Sequence, residues 1–207
     1  RSISADPNPK GIGIVEKDAS KYFKTSSFKS RKQSFNPGSY AISKTPIKFS
    51  IKKNLNLSVI IFPTLFSSKK QTILAFDNIE IYINSNGATS IRVGDKSISI
   101  KEPLILRSWY KIKVKISLSG NVSISQKNLK NKNKNEKDLI NNGKILLNKA
   151  VSGRISLAAI ISKGVGYNHF NGKIENPTIN VDGKKIGDWD LSKNINSTLI
   201  ESIIGPK

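Results

Sequence analysis

From Tyr110 to Ser119 the chain alternates strictly: Tyr110, Ile112, Val114, Ile116 and Leu118 are apolar, while Lys111, Lys113, Lys115, Ser117 and Ser119 are polar. A period of two places every apolar side chain on one face of an extended strand, whereas a helix would scatter the same residues around its axis. Gly120-Asn121 then supplies a turn, and Val122 and Ile124 resume the apolar positions, so Trp109 to Ser125 predicts a β-hairpin. The same alternation recurs at Leu57, Val59 and Ile61, at Ile79, Ile81 and Ile83, at Ile91 and Val93, and at Ile98 and Ile100. Asn86-Gly87 and Gly94-Asp95 separate these runs as turns. Many short strands divided by turn residues predict an all-β fold, a two-sheet antiparallel sandwich of the jelly-roll kind.

Departures from the alternation mark the other parts of the chain. Ile155 to Ile161 is continuously apolar between Gly153 and Gly164 and predicts a fully buried central strand. Phe170 to Val181 predicts another, broken at Pro177. The nearest approach to a helical period is Asp138 to Val151, which predicts a short helix or turn. Gln126 to Asn142, with its Lys-Asn repeat, holds too little apolar area to offset ordering entropy and predicts a flexible loop. Residues 1–37 are polar, with Asp6-Pro7-Asn8-Pro9 and Gly11-Ile12-Gly13 near their start. They are expected to form an extended segment packing on a sandwich of residues 38–207.

Composition narrows the chemistry. The 207 residues include no cysteine, which removes disulfides, thiolate metal sites and cysteine nucleophiles and fits a reducing, cytoplasmic location. No window approaches the roughly 18 apolar residues of a membrane helix, so a soluble domain without a membrane partner is expected. The chain holds no methionine and ends abruptly at Gly205-Pro206-Lys207, which reads as a piece of a longer polypeptide. Its formal charge is +21, from 35 Lys and Arg against 14 Asp and Glu. Such a field attracts polyanions. The excess is mostly lysine spread along the chain, with few arginines for bidentate base contacts, which argues against sequence-specific nucleic-acid recognition.

Candidate site residues are few. His169 is the only histidine, so a His-pair metal site cannot form, and a triad would depend on this one imidazole. A solvated or backbone-bonded turn histidine is the simpler reading. Glu80, Glu102 and Glu175 are separated by whole strands, with no pairing that a glycosidase would need. No catalytic residue is assigned. Asp77, Asn78, Asp95, Asn168 and Asn171 sit in predicted turns, where oxygen ligands could serve a loop ion or a sugar. Turns are also rich in these residues for conformational reasons alone. Lys111, Lys113 and Lys115, with Arg107 just before them, form a ridge that could hold a polyanion without reading sequence. No aromatic residue is expected among these lysines, which leaves a solvated outer face as the plainer account. Trp109 opens a strand and is read as core or rim, and Trp189 as a residue that contacts a following domain. Gly11-x-Gly13 and Gly164-x-Gly166 complete no phosphate-binding pattern and read as turns.

Two sets of residues carry a resemblance. Trp109-Tyr110-Lys111-Ile112-Lys113-Val114 followed by Leu118-Ser119-Gly120-Asn121-Val122, and Phe170-Asn171-Gly172-Lys173-Ile174-Glu175-Asn176-Pro177, resemble strands of laminin-G and concanavalin-A-like lectin domains. Ala5-Asp6-Pro7-Asn8-Pro9, Pro37-Gly38-Ser39-Tyr40, Ile61-Phe62-Pro63-Thr64 and Trp189-Asp190-Leu191-Ser192 are similar to the lectin-like region of the large subunit of N,N-dimethylformamidases. That resemblance implies an accessory domain packing on a downstream catalytic domain or another subunit. The partner region would hydrolyse a C–N amide bond with an iron held by tyrosines and a glutamate, and none of those iron-binding motifs is matched in this sequence. No cofactor is expected in this domain. The alternative is an independent carbohydrate- or polyanion-binding lectin-like module.

Overall fold

The computed structural model describes residues 40–129, 139–191 and 202–205. The first half of the chain forms β1 (Ala41–Ile42), β2 (Ile47–Ser50), β3 (Asn54–Pro63), β4 (Gln71–Phe76), β5 (Ile79–Ile83), β6 (Thr89–Val93) and β7 (Lys96–Ser99). The predicted hairpin is β8 (Tyr110–Ser117) and β9 (Asn121–Asn128), turned at Gly120 with φ of 90°. Then follow β10 (Leu139–Lys144), β11 (Ala150–Gly153), β12 (Ser156–Leu157), β13 (Ile160–Ser162) and β14 (Val165–Tyr167). The last strands are β15 (Gly172–Val181), β16 (Lys184–Trp189) and β17 (Ser202–Ile204).

Two antiparallel sheets hold most of these strands. One has six, in the order β1-β12-β4-β5-β6-β7, and the other seven, in the order β10-β9-β8-β3-β15-β16-β17. Two small pairs, β2 with β11 and β13 with β14, complete the fold. The alternation explains the packing. Leu55, Leu57, Val59 and Ile61 of β3, with Ile112, Val114 and Ile116 of β8, are buried against Ile79, Ile81, Ile83 and Ile91 of the opposite sheet. Each such side chain contributes roughly 1.5–3 kcal/mol by leaving water. The predicted all-β sandwich is the observed fold, and no helix forms among the described residues.

A few polar bonds fix the sheets relative to each other. Thr89 Oγ1 of β6 donates to Gln126 Oε1 of β9 at 2.6 Å, with both residues buried. Asn141 Nδ2 of β10 donates to the Ser99 carbonyl at 2.6 Å. At the centre of the seven-stranded sheet, Gly172 lets β15 begin directly against β3, since a Cβ there would overlap the Phe62 carbonyl and the Phe170 ring. At the other end of that pairing, the Asp182 carboxylate accepts the backbone N–H groups of Lys52, Lys53 and Asn54 at 2.7–2.9 Å.

Four expectations are corrected here. The stretch expected as a helix or turn over Asp138 to Val151 contains β10 and β11 instead, because β10 pairs along its whole length with β9. Gln126 to Asn142 is therefore not one loop: Gln126 to Asn128 and Leu139 to Asn142 are paired strand. The apolar run Ile155 to Ile161 is not a single central strand. Ala158 adopts φ of 64°, which breaks the run into β12 and β13, and β12 lies one place from a sheet edge. Pro177 does not end its strand either. A bulge at Asn176-Pro177 (Asn176 φ 45°) absorbs the missing N–H, and β15 continues. The extended segment of residues 1–37, with Gly11-x-Gly13, lies outside the described residues, as do Asp138 and residues 130–137.

Candidate functional site

The outward face of the seven-stranded sheet is built by the same alternation that fills the core. Side chains paired across neighbouring strands on one face line up in rows. One row runs Asn142, Ser123, Lys115, Asn56, Asn180 and Lys185 from β10 to β16. The next runs Ser125, Lys113, Ser58 and Thr178. Small hydroxyls and amides on β9, β3 and β15 leave room beside the longer lysines of β8. The result is a groove of about 290 Å³ lined by Asn56, Ser58, Lys113, Lys115, Ser123, Ser125 and Asn180. Lys113 and Lys115 are exposed, and neither they nor Lys111 has an acidic partner within ion-pair distance among the described residues.

Farther along the same face the chemistry changes. Phe62 of β3 packs against Trp109 with ring centres 5.1 Å apart and planes at 47°. Lys173, the partner of Phe62 on β15, places Nζ 5.8 Å from the centre of the Phe62 ring. The backbone N–H of Arg107 donates to the Pro63 carbonyl at 2.7 Å, which holds the exposed Arg107 at this end of β3. Among the described residues these aromatics stand at the Arg107 end of the Arg107, Lys111, Lys113 and Lys115 ridge and do not interleave with its lysines. Trp109 is half-buried on this face, and its aromatic neighbour comes from a strand some 47 residues earlier, between Phe62 and Trp109. Phe62, Lys173 and the small polar residues of β3, β9 and β15 are the ones sequence reasoning missed. Their outward position follows from the period of two, but the adjacency of β3, β8 and β15 does not.

The remaining candidates are dispersed. Asp77, Asn78 and Asp95 lie at one end of the six-stranded sheet, where Ile79 pairs with Val93 and the Gly94 N–H donates to the Asn78 carbonyl at 2.9 Å. Asn168 and Asn171 lie at the opposite end, where the Asn168 carbonyl accepts from the Thr72 N–H at 2.7 Å and the Asn171 N–H donates to Gln71 Oε1 at 2.9 Å. Asp77 and Asn168 have φ of 52° and 54°, the left-handed geometry that short polar residues tolerate in turns. No group of three or more His, Cys, Asp or Glu side chains gathers to hold a metal among the described residues.

His169 is half-buried beside the Tyr40 ring, with Nε2 3.1 Å from the Gly166 carbonyl and Nδ1 buried without a partner. Burial pushes its pKa down, and the bond to Gly166 opposes this only in part. Glu80 is 0% exposed on the outward side of the six-stranded sheet. Lys70 Nζ lies 2.8 Å from Glu80 Oε2, the Arg92 guanidinium 2.9 Å from the same oxygen, and Thr72 Oγ1 donates to Oε1 at 2.6 Å. Burial pushes its pKa up, but the bonds from Lys70, Thr72 and Arg92 outweigh that and hold it below the ordinary carboxylate value. Both oxygens are engaged, so Glu80 is a structural anion. Trp189 is also structural, at 5% exposed within the core.

No family model matches the chain, and no curated protein matches it. Solved structures do. A protein from Bacteroides ovatus proposed to bind carbohydrate superposes with a TM-score of 0.55 at 13% identity, over 81% of this chain and 57% of that one. The CBM40 domain of the Ruminococcus gnavus IT-sialidase, solved with alpha2,3 sialyllactose, gives 0.50 at 11% identity over 64% of this chain and 78% of that one. The heptameric SAP-like pentraxin of Limulus polyphemus gives 0.50 at 14% identity over 68% of each chain. This chain spans little more than half the length of the first. At these identities the likeness is one of fold: the chain is an antiparallel jelly-roll β-sandwich.

Proposed function

We propose that this chain is a lectin-like module that binds carbohydrate on the outward face of its seven-stranded sheet. The groove carries the reading: hydroxyl, amide and ammonium groups converge from four adjacent strands around one concavity, as the several hydrogen bonds of a sugar require. The carbohydrate named for two proteins of the same fold supports it. Binding to an array of neutral and acidic glycans tests it. The wild-type chain should show saturable binding, and Asn56→Ala with Asn180→Ala should weaken it by about tenfold, the loss of one or two net hydrogen bonds. A flat response across the array overturns the reading.

A second reading is an accessory domain of an N,N-dimethylformamidase-like amidohydrolase, with hydrolysis of the C–N bond, and iron, in another region of the parent. The observation that favours it is the edge strand β17, where Ile203 and Ile204 are 61% and 41% exposed. Apolar residues on an open strand edge are suited to cover by a neighbouring domain. The encoded residues beyond Lys207 test this. An α/β region with clustered tyrosine and glutamate, whose association is weakened by Ile203→Ser with Ile204→Ser, is the expected result. Continuation into an unrelated region removes it.

A further inference from the structure

We infer that the ligand of this face is an acidic polysaccharide in extended conformation, with a sugar ring seated on Phe62 and Trp109 and its acidic groups on the lysines of β8 and β15. The inference rests on the sugar-binding reading of the groove and names the class of sugar. Its first support is charge. Lys111, Lys113 and Lys115 project from one strand with no acidic partner in ion-pair distance among the described residues, while Lys70 and Arg92 on the other sheet, and Lys185 on β16 of this same face, are each matched to a carboxylate. A row of ammonium groups at alternate strand positions repeats about every 7 Å. A polymer bearing regularly spaced carboxylates or sulfates meets several of them at once, and a single sugar does not.

The second support is length. From Asn56 in the groove to Phe62 is six residues of continuous strand β3, about 20 Å at ~3.3 Å per residue. The groove and the aromatic pair therefore lie along one line, on the strand that carries Ser58 and Ile60 between them, with Lys111 and Glu175 paired to Ile60 on either side. The third is the composition of the far end. A sugar ring presents C–H groups to an aromatic face, and Lys173 beside the Phe62 ring supplies a cation for an acidic group on that ring's edge. Nucleic acid offers the same charge, but Phe62 and Trp109 lie tilted against each other as one platform. Among the described residues no succession of aromatics for successive bases stands along the ridge.

Binding of the full 207-residue chain to four probes decides the matter: polygalacturonate, fully methyl-esterified polygalacturonate, heparin and poly(U). Polygalacturonate or heparin should bind at least tenfold more tightly than the methyl ester, with an affinity that falls steeply as salt rises. Phe62→Ala should reduce that affinity by about tenfold. Lys111→Gln with Lys173→Gln, at exposed or half-buried positions where the fold is retained, should reduce both the affinity and its salt dependence. Equal binding of the charged and esterified polymers overturns the acidic ligand and leaves the sugar site standing. Loss of binding to every sugar overturns both. Tighter binding of poly(U) than of either acidic sugar, weakened by Phe62→Ala, replaces the polysaccharide with single-stranded nucleic acid.

Discussion

The outward faces of the two sheets carry the same kinds of residue and use them in opposite ways. On the six-stranded sheet, Lys70 and Arg92 converge on Glu80, whose two oxygens also take a bond from Thr72, and the carboxylate is sealed from water. On the seven-stranded sheet, Lys113 and Lys115 face a groove with serine and asparagine, and neither they nor Lys111 meets an acid in ion-pair distance among the described residues. On the first face, Lys70, Arg92 and Glu80 satisfy one another. The second leaves Lys113 and Lys115 in solvent, where they add little to stability and remain available to a ligand. A cationic surface is thus informative only when it is known which cations are already matched.

That contrast can be broken most directly at Glu80. Glu80→Ala removes the anion that two cations and a hydroxyl surround, and should lower unfolding free energy by about 3 kcal/mol, read from urea denaturation. A loss near zero would mean the two faces do not differ in kind. Acidification is a subtler probe of the same group. Its pKa in the folded state lies below the ordinary carboxylate value, so its stabilisation is complete above the unfolded-state value and is lost as pH falls through the folded one. Wild-type stability should therefore fall more steeply than that of Glu80→Gln below about pH 4, compared by urea midpoints. Smallest of all, Lys113→Ser with Lys115→Ser should change stability by no more than about 0.5 kcal/mol while weakening acidic-glycan binding several-fold in the same preparation. A variant that lost stability but kept its binding would reverse the comparison.

Much of the fold was legible in the period of two. Strands β3, β5, β8 and β9 follow from Leu57, Val59 and Ile61, from Ile79, Ile81 and Ile83, and from the hairpin around Gly120, because burial on one face imposes that spacing. Where the pattern misled, long-range pairing or backbone geometry prevailed. β10 is a strand because β9 offers it a complete ladder, although Leu139 to Lys144 is too polar to declare itself. The left-handed Ala158 that divides an apolar run has no signature in residue type. The lysine ridge could be read from the sequence of β8 alone, but the groove could not. Its walls come from β3 and β15, whose contact joins residues more than a hundred positions apart, and so does Lys173 beside Phe62.

The pairing of β3 with β15 also sets the order in which the domain can become complete. As the chain leaves the ribosome, β3 can join β8 and β9 early, but its other edge has no partner until Gly172 to Val181 has been made. Until then the nascent chain therefore presents the open edge of an apolar strand, of the sort that captures neighbouring chains. Mutual repulsion among chains with a formal charge of +21 acts during that interval. The lysines that stand in solvent on the finished domain thus keep each unfinished molecule apart from the next.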